Sequence, residues 1–198
     1  MDIKRLIIVA VGGQGNLLAS KVLAEAAMLA NIPVRMSEIH GMAQRGGVVE
    51  SSLVFGDAHS TIISDGCADV LLAFEPAEAL RALARCNTDS VVVTNTAPMP
   101  PFTAAIGKGV YPPVEKIKSL LAEKTAKLVA IDAAGLAAQA GSPLSVNMVL
   151  LGALIHTGVL PITPEIVRKA ITDFTKKSTV DINLKAFDLG FAAAGKAA

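Results

Sequence analysis

The sequence predicts an α/β fold: a three-layer, doubly wound, mostly parallel sheet with helices on both faces. Three observations predict it. Apolar runs rich in Ile, Val and Leu recur at residues 6–11, 69–74, 90–93 and 127–131, the composition of strands covered on both faces. Segments with apolar residues at spacings of three and four alternate with them. Hydrophobic residues make up 52% of the 198 positions but aromatics only 4%, with no Trp. The core must therefore be aliphatic, as Val/Ile strands between Ala/Leu helices require.

Taken in order, LIIVAV at 6–11 is a central strand, broken by Gly12, Gly13 and Gly15. A helix follows from Asn16 to Leu29, with Leu17, Leu18, Val22, Leu23, Ala26 and Ala27 at helical spacing, and Pro33 limits it because the residue before a proline avoids helix. Strand, glycine turn and helix form the Rossmann-like unit that aims bare N–H groups at an anion. The frame is Ala10, Gly12, Gly15, so alanine stands where the first glycine of G-x-G-x-x-G would be. A tight turn with no ligand is the bland alternative. Gln14 adds an amide that both donates and accepts.

Residues 34–37 read as a short second strand. Glu38 then stands about where an acid would hold a ribose hydroxyl. Residues 37–47, SEIHGMAQRGG, read as an exposed or site-lining loop, since burying so many polar groups is costly. Arg45 offers a planar fork to a carboxylate or phosphate, or else pairs with Glu38. His40 alone reads as a structural histidine. Residues 48–55 and 59–63, separated by Gly56-Asp57, read as an antiparallel β-hairpin at one side of the sheet.

The strand at 69–74 leads through Glu75-Pro76 into a helix, with proline tolerated in its first turn. The strand at 90–93 ends in Thr94-Asn95-Thr96 at a carboxyl edge, where open α/β sheets bind ligands. Residues 97–113 carry five prolines and read as a long surface excursion. A helix at 114–123, a final strand at 127–131 and a short helix ending near Gly141 follow. The C-terminal part, about 142–198, is helical. Ser142-Pro143 opens an apolar helix, with Gly152 allowing close approach of another. Thr163-Pro164-Glu165 starts a second helix with its cap, and 181–194 is the last. Asn147 and Asn183 read as structural hydrogen-bonders. The whole chain, 1–198, reads as one domain.

The totals exclude several classes. Eighteen Lys and Arg stand against 17 Asp and Glu, without a basic stripe, so nucleic-acid binding has no electrostatic support. Cys67 and Cys86 form no CxxC, so no zinc or iron–sulfur site is expected in this chain alone, and two isolated cysteines suit a reducing compartment. The first residues do not read as a signal peptide, and no apolar run approaches the roughly 20 residues of a membrane span. A cytoplasmic, non-membrane protein is expected. The mean hydropathy of +0.53 suggests surface covered by partner subunits.

AVGGQGNLLAS (10–20), SEIHGMAQRGG (37–47) and NMVLLGAL (147–154), with VTNTAPMPP (93–101) and DINLKAFDLG (181–190), closely resemble the γ-type subunit or domain of 2-oxoacid:ferredoxin oxidoreductases. The nearest likeness is to the small subunit of the indolepyruvate enzyme. Ala10 departs from the family's usual glycine. The resemblance implies a heteromeric enzyme that converts a 2-oxoacid to acyl-CoA and CO2 and passes electrons to ferredoxin. It implies thiamine diphosphate, Mg2+ and iron–sulfur clusters in partner subunits, with coenzyme A as a substrate. This chain has no G-D-G motif for thiamine diphosphate; Ser64-Asp65-Gly66 is a poor substitute. No catalytic or metal-ligating residue is therefore expected in this chain alone. Its site-completing or coenzyme A-binding candidates are Gly12, Gly13, Gln14, Gly15, Asn16, Glu38, His40, Gln44, Arg45, Gly46 and Asn95. A stand-alone NAD(P)-dependent oxidoreductase and a non-catalytic assembly protein are the alternatives. The first lacks a Tyr-x-x-x-Lys set, since position 115 after Tyr111 is Glu.

Overall fold

The computed structural model describes residues 2–41, 47–101, 104 and 106–197. Its strands are β1 (Lys4–Val11), β2 (Val34–His40), β3 (Val48–Phe55), β4 (Ala68–Ala73), β5 (Cys86–Asn95) and β6 (Lys127–Ile131). They form one six-stranded sheet in the order β2-β3-β1-β4-β5-β6. β4, β5 and β6 run parallel to β1, and β3 is antiparallel to both of its neighbours. The helices are α1 (Asn16–Leu29), α2 (Pro76–Ala82), α3 (Val114–Lys124), α4 (Ala133–Ala140), α5 (Val146–His156), α6 (Pro164–Phe174) and α7 (Val180–Ala194).

Alternation along β1 divides the core. Leu6, Ile8 and Ala10 face the layer made by α1 and α4 to α7, where Val22, Leu23, Ala137 and Leu150 are fully buried. Ile7 and Val9 face α2 and α3, against Ala79, Ile117 and Leu121. Each fully buried Leu or Ile contributes about 1.5–3 kcal/mol. The chain leaves β1 toward one face and β4 toward the other. Their adjacent carboxyl ends are therefore a switch point, where open α/β sheets form a crevice.

Three details differ from the sequence expectation. β2 runs on past Ser37 to His40, so Glu38, Ile39 and His40 are strand residues rather than loop. The antiparallel hairpin is β2–β3, with Val34 opposite Phe55 and His40 opposite Val49. Residues 59–63 form no strand, because β3 already has a partner on each edge. Thr163 precedes α6 as expected, but its side chain makes no capping bond.

Two glycines set the C-terminal layer. A Cβ at Gly152 on α5 would overlap the Phe187 carbonyl oxygen of α7 and lie 2.8 Å from the Phe191 nitrogen. A Cβ at Gly190 on α7 would overlap the Val149 carbonyl oxygen of α5. The two backbones thus touch through paired glycines. Ser145, just before α5, adds a bond from its Oγ to Asn183 Oδ1 of α7, at 3.4 Å.

Gly152→Ala should destabilise by about 3 kcal/mol, at the upper end of overpacking costs, because rigid backbone rather than a side-chain tip must move. That corresponds to a fall in Tm of about 6–12 °C for a domain of this size, measured by thermal unfolding. An unchanged Tm would disprove the close crossing.

Candidate functional site

The turn after β1 is built around two left-handed residues, Gly13 (φ 100°) and Gly15 (φ 85°). A residue with a Cβ in that conformation costs about 1–2 kcal/mol. Ala10 needs no such freedom: it lies inside β1, opposite Val49, fully buried. The Gln14 side chain closes the turn, accepting from Val11 N–H at 2.8 Å, while Gln14 N–H donates to the Val11 carbonyl at 3.2 Å. Gly12 N–H donates to the Gly47 carbonyl at 2.8 Å, which ties the turn to the end of the β2–β3 loop.

Gly15 is the N-cap of α1. Its carbonyl accepts from Ala19 N–H at 3.1 Å and from Asn147 Nδ2 of α5 at 3.3 Å. A Cβ on Gly15 would stand 2.7 Å from that nitrogen. The left-handed φ therefore favours glycine here, and a Cβ would in addition push on the Asn147 side-chain amide. The N–H groups of Gly13, Gly15, Asn16 and Leu17 have no acceptor among the described residues. No acidic side chain occupies the first turn of α1, so the positive end of this 14-residue helix is not neutralised locally. Asn16 is 5% exposed; its Oδ1 accepts from Ser20 Oγ at 3.3 Å, but its Nδ2 is buried without a partner.

A cavity opens on each side of the turn, and Gly13 and Gly15 line both. The first, about 530 Å³, is bounded by Gly12, Asn16, Leu17, His40, Gly41 and Val48. The second, about 500 Å³, is bounded by Leu18, Asn95, Met99, Leu144, Val146 and Asn147, with Gln14 at its edge. Together they make a cleft whose floor is the glycine turn.

Of the residues singled out in the sequence, Gly12, Gly13, Gln14, Gly15, Asn16, His40 and Asn95 converge on this cleft. Their roles differ. Asn95 is buried; its Nδ2 donates to the Phe74 carbonyl at 3.3 Å and its Oδ1 accepts from Ala97 and Ala133 N–H at 3.2 and 3.1 Å. Gln14 Nε2 donates to the same Phe74 carbonyl at 3.4 Å. These two amides join the ends of β1, β4, β5 and β6 and leave little for a ligand. Glu38 lies on edge strand β2, with β3 between it and β1. Two strand spacings, about 10 Å, separate it from the turn's strand, and its Oε1 accepts from Ser51 Oγ at 3.3 Å. A ribose-binding acid at that place is thus displaced from the glycine turn. Gln44, Arg45 and Gly46 lie outside the described residues.

The sequence reading passed over Glu75. It is 1% exposed at the head of α2, where its Oε2 accepts from Glu78 N–H at 3.0 Å. Its Oε1 accepts from Met99 N–H at 3.0 Å and from the Tyr111 hydroxyl. A buried carboxylate left unpaired would cost several kcal/mol, and hydrogen bonds to a charged acceptor contribute about 1.5–3 kcal/mol each. Glu78 beside it is 6% exposed with one oxygen unpartnered. Burial pushes its pKa up, Arg81 opposes that, and the Glu75 charge adds to it. The available signal was an acid before a proline at the carboxyl end of a buried strand.

Among the described residues, no three His, Cys, Asp or Glu are grouped to hold a metal ion. Cys67 is exposed; Cys86 is a free, partly buried thiol that burial pushes up to about 11. No helix among the described residues is long and apolar enough to cross a membrane.

The family model described as pyruvate ferredoxin/flavodoxin oxidoreductase matches residues 5–193. Indolepyruvate oxidoreductase subunit IorB of Methanothermobacter thermautotrophicus is 44% identical over 186 residues, 94% of this chain and 95% of that one. Its counterpart from Pyrococcus horikoshii is 42% identical over 191 residues, 96% of this chain and 95% of that one. The keto/oxoacid ferredoxin oxidoreductase gamma subunit of Geobacter sulfurreducens superposes with a TM-score of 0.72 at 25% identity, over 98% of this chain and 99% of that one. The 2-oxoglutarate:ferredoxin oxidoreductase of Magnetococcus marinus, solved with 2-oxoglutarate, coenzyme A and succinyl-CoA bound, shares the fold. Its TM-score is 0.75 at 20% identity, over 99% of this chain but 32% of that one. The chain belongs to the pyruvate ferredoxin/flavodoxin oxidoreductase family, as a subunit of a 2-oxoacid:ferredoxin oxidoreductase whose activity is that of the assembled complex.

Proposed function

We propose that this chain is the small subunit of an indolepyruvate-type enzyme, and that its glycine-turn cleft receives the phosphate end of coenzyme A. The reaction is oxidation of the 2-oxoacid with coenzyme A to acyl-CoA and CO2, with two electrons leaving to ferredoxin. Thiamine diphosphate, supplied by a partner subunit, provides the carbanion chemistry. This chain's part is to bind the acyl acceptor, fix its orientation and close the chamber against water. A phosphate at the turn would meet the N–H groups of Gly13, Gly15, Asn16 and Leu17 at a positive helix end. Arg45, which lies between β2 and β3 in the sequence, would supply a bidentate charge.

The observation that carries this reading is the set of unpaired donors at the turn: four backbone N–H groups, with the buried Asn16 Nδ2 beside them. Around them Leu17, Leu18, Met99 and Leu144 are exposed apolar side chains, Leu144 at 85%. A partner subunit covering this edge would bury them. A nicotinamide role is disfavoured by the strand inserted between β1 and Glu38. The enzyme would work where ferredoxin does, in the cytoplasm.

In the enzyme reconstituted with its partner, Asn16→Ala and Arg45→Ala should each raise KM for coenzyme A about 10- to 150-fold, with a smaller effect on kcat. That is the loss of one hydrogen bond to a charged group. Unchanged KM in both would reject the assignment and favour an assembly role. Gly15→Ala should cost about 1–2 kcal/mol in φ strain alone, plus the clash with Asn147. In an Asn147→Ala background the clash part should disappear from the unfolding free energy; an identical loss in both backgrounds would contradict the contact.

A further inference from the structure

Residues 97–113 leave the carboxyl end of β5 and return to α3. Pro98, Pro100, Pro101, Pro112 and Pro113 remove five N–H donors from this segment, so it cannot be held by a regular backbone ladder. Among its described residues, Ala97 is tied to Asn95, while Met99 and Tyr111, twelve residues apart, both donate to the same atom, Glu75 Oε1. The other oxygen of Glu75 caps α2 through Glu78 N–H. The carboxylate therefore locks the excursion to the rigid end of β4, one residue beyond Phe74, whose carbonyl takes Gln14 and Asn95. Ala97, Pro98 and Met99 form one wall of the second cavity.

We propose that Glu75 is a positioning residue for the acyl-acceptor cleft: through Met99 and Tyr111 it fixes the excursion and so sets the wall that faces the glycine turn. In its kinetic consequence this rests on the proposed coenzyme A site; in its geometry it does not. The charged and titratable groups about the lock are Tyr111, Glu78 and Arg81, the last paired with Glu78. Glu75 touches no reacting atom. Its effect on turnover passes through the cavity wall, so it should appear in the affinity for the acceptor rather than in the chemical step.

The chain offers a direct probe, because Tyr111 is its only tyrosine and it has no tryptophan. Burial, then the hydrogen bond to Glu75 and that group's charge, hold the Tyr111 phenol well above its ordinary range. The fold favours the neutral phenol. Its contribution is therefore complete below the ordinary tyrosine pKa of about 10 and is lost as pH climbs through the raised value.

Ultraviolet titration of the full chain should show phenolate only well above pH ~10, and Glu75→Gln should bring its appearance down toward that value. In the reconstituted enzyme, Glu75→Gln and Tyr111→Phe should each raise KM for coenzyme A about threefold or more while kcat stays within about twofold, the pattern of lost binding rather than lost chemistry. Tyr111→Phe removes only a hydroxyl and serves if the Gln variant folds poorly. A tyrosine that titrates near pH ~10 and is unmoved by Glu75→Gln would overturn the lock. A shifted tyrosine with KM unmoved by either variant, while Asn16→Ala does raise it, would overturn the positioning role and leave the coenzyme A site standing. If none of the three raises KM, both fall.

Discussion

The structure depends on a single crowded contact, the left-handed Gly15 against Asn147. The chain must turn from a buried strand into a helix within four residues, and α5 must come close enough to steady the turn. A residue without Cβ meets both demands without strain, since a Cβ would strain φ and push on the Asn147 amide, 2.7 Å away. The position of α5 is set in turn by Gly152 and Gly190, which let α7 meet it backbone to backbone. A line of close packing thus runs from the C-terminal helices to the floor of the cleft. Its result is electrostatic: N–H groups at a helix end, held open where most buried donors are paired.

The polar groups at the carboxyl edge fall into two sets. Gln14, Asn95 and Glu75 spend their hydrogen bonds on backbone and on Tyr111, and so fix the relative positions of four strand ends and the excursion. Asn16 Nδ2 and the N–H groups of Gly13, Gly15, Asn16 and Leu17 spend none among the described residues. That division separates framework from binding surface better than residue type does, for Gln14 and Asn16 are both amides two positions apart. The antiparallel β3, inserted between β1 and β2, has a parallel consequence. It carries Glu38 away from the turn and brings Gly47 against Gly12, so a frame shared with dinucleotide-binding folds is turned to another use.

Much of this was legible in the sequence where the determinants are local. The bounds of α1 and β6 follow from periodicity, glycine and proline, and the reading of Asn147 and Asn183 as structural holds. The failures are non-local. Glu38 to His40 look like loop because an edge strand carries polar residues on its exposed side, and only pairing with β3 makes them a strand. Residues 59–63 look like a strand because Ile62 and Ile63 follow Thr61, yet Ile62 is 81% exposed and no edge of β3 remains for it. Glu75 looked like an ordinary helix start. Its burial comes from Met99 and Tyr111, residues 24 and 36 positions away, a separation at which periodicity says nothing.

The central claim is that the turn's unpaired amides are a binding surface rather than a by-product of tight folding. Amide hydrogen exchange on the assembled enzyme, with and without coenzyme A, tests it most directly. The account predicts that added coenzyme A slows exchange at Gly13, Gly15, Asn16 and Leu17, with interior strand amides such as Leu71 unaltered. Unchanged exchange at these four positions, under conditions where coenzyme A is turned over, would contradict it.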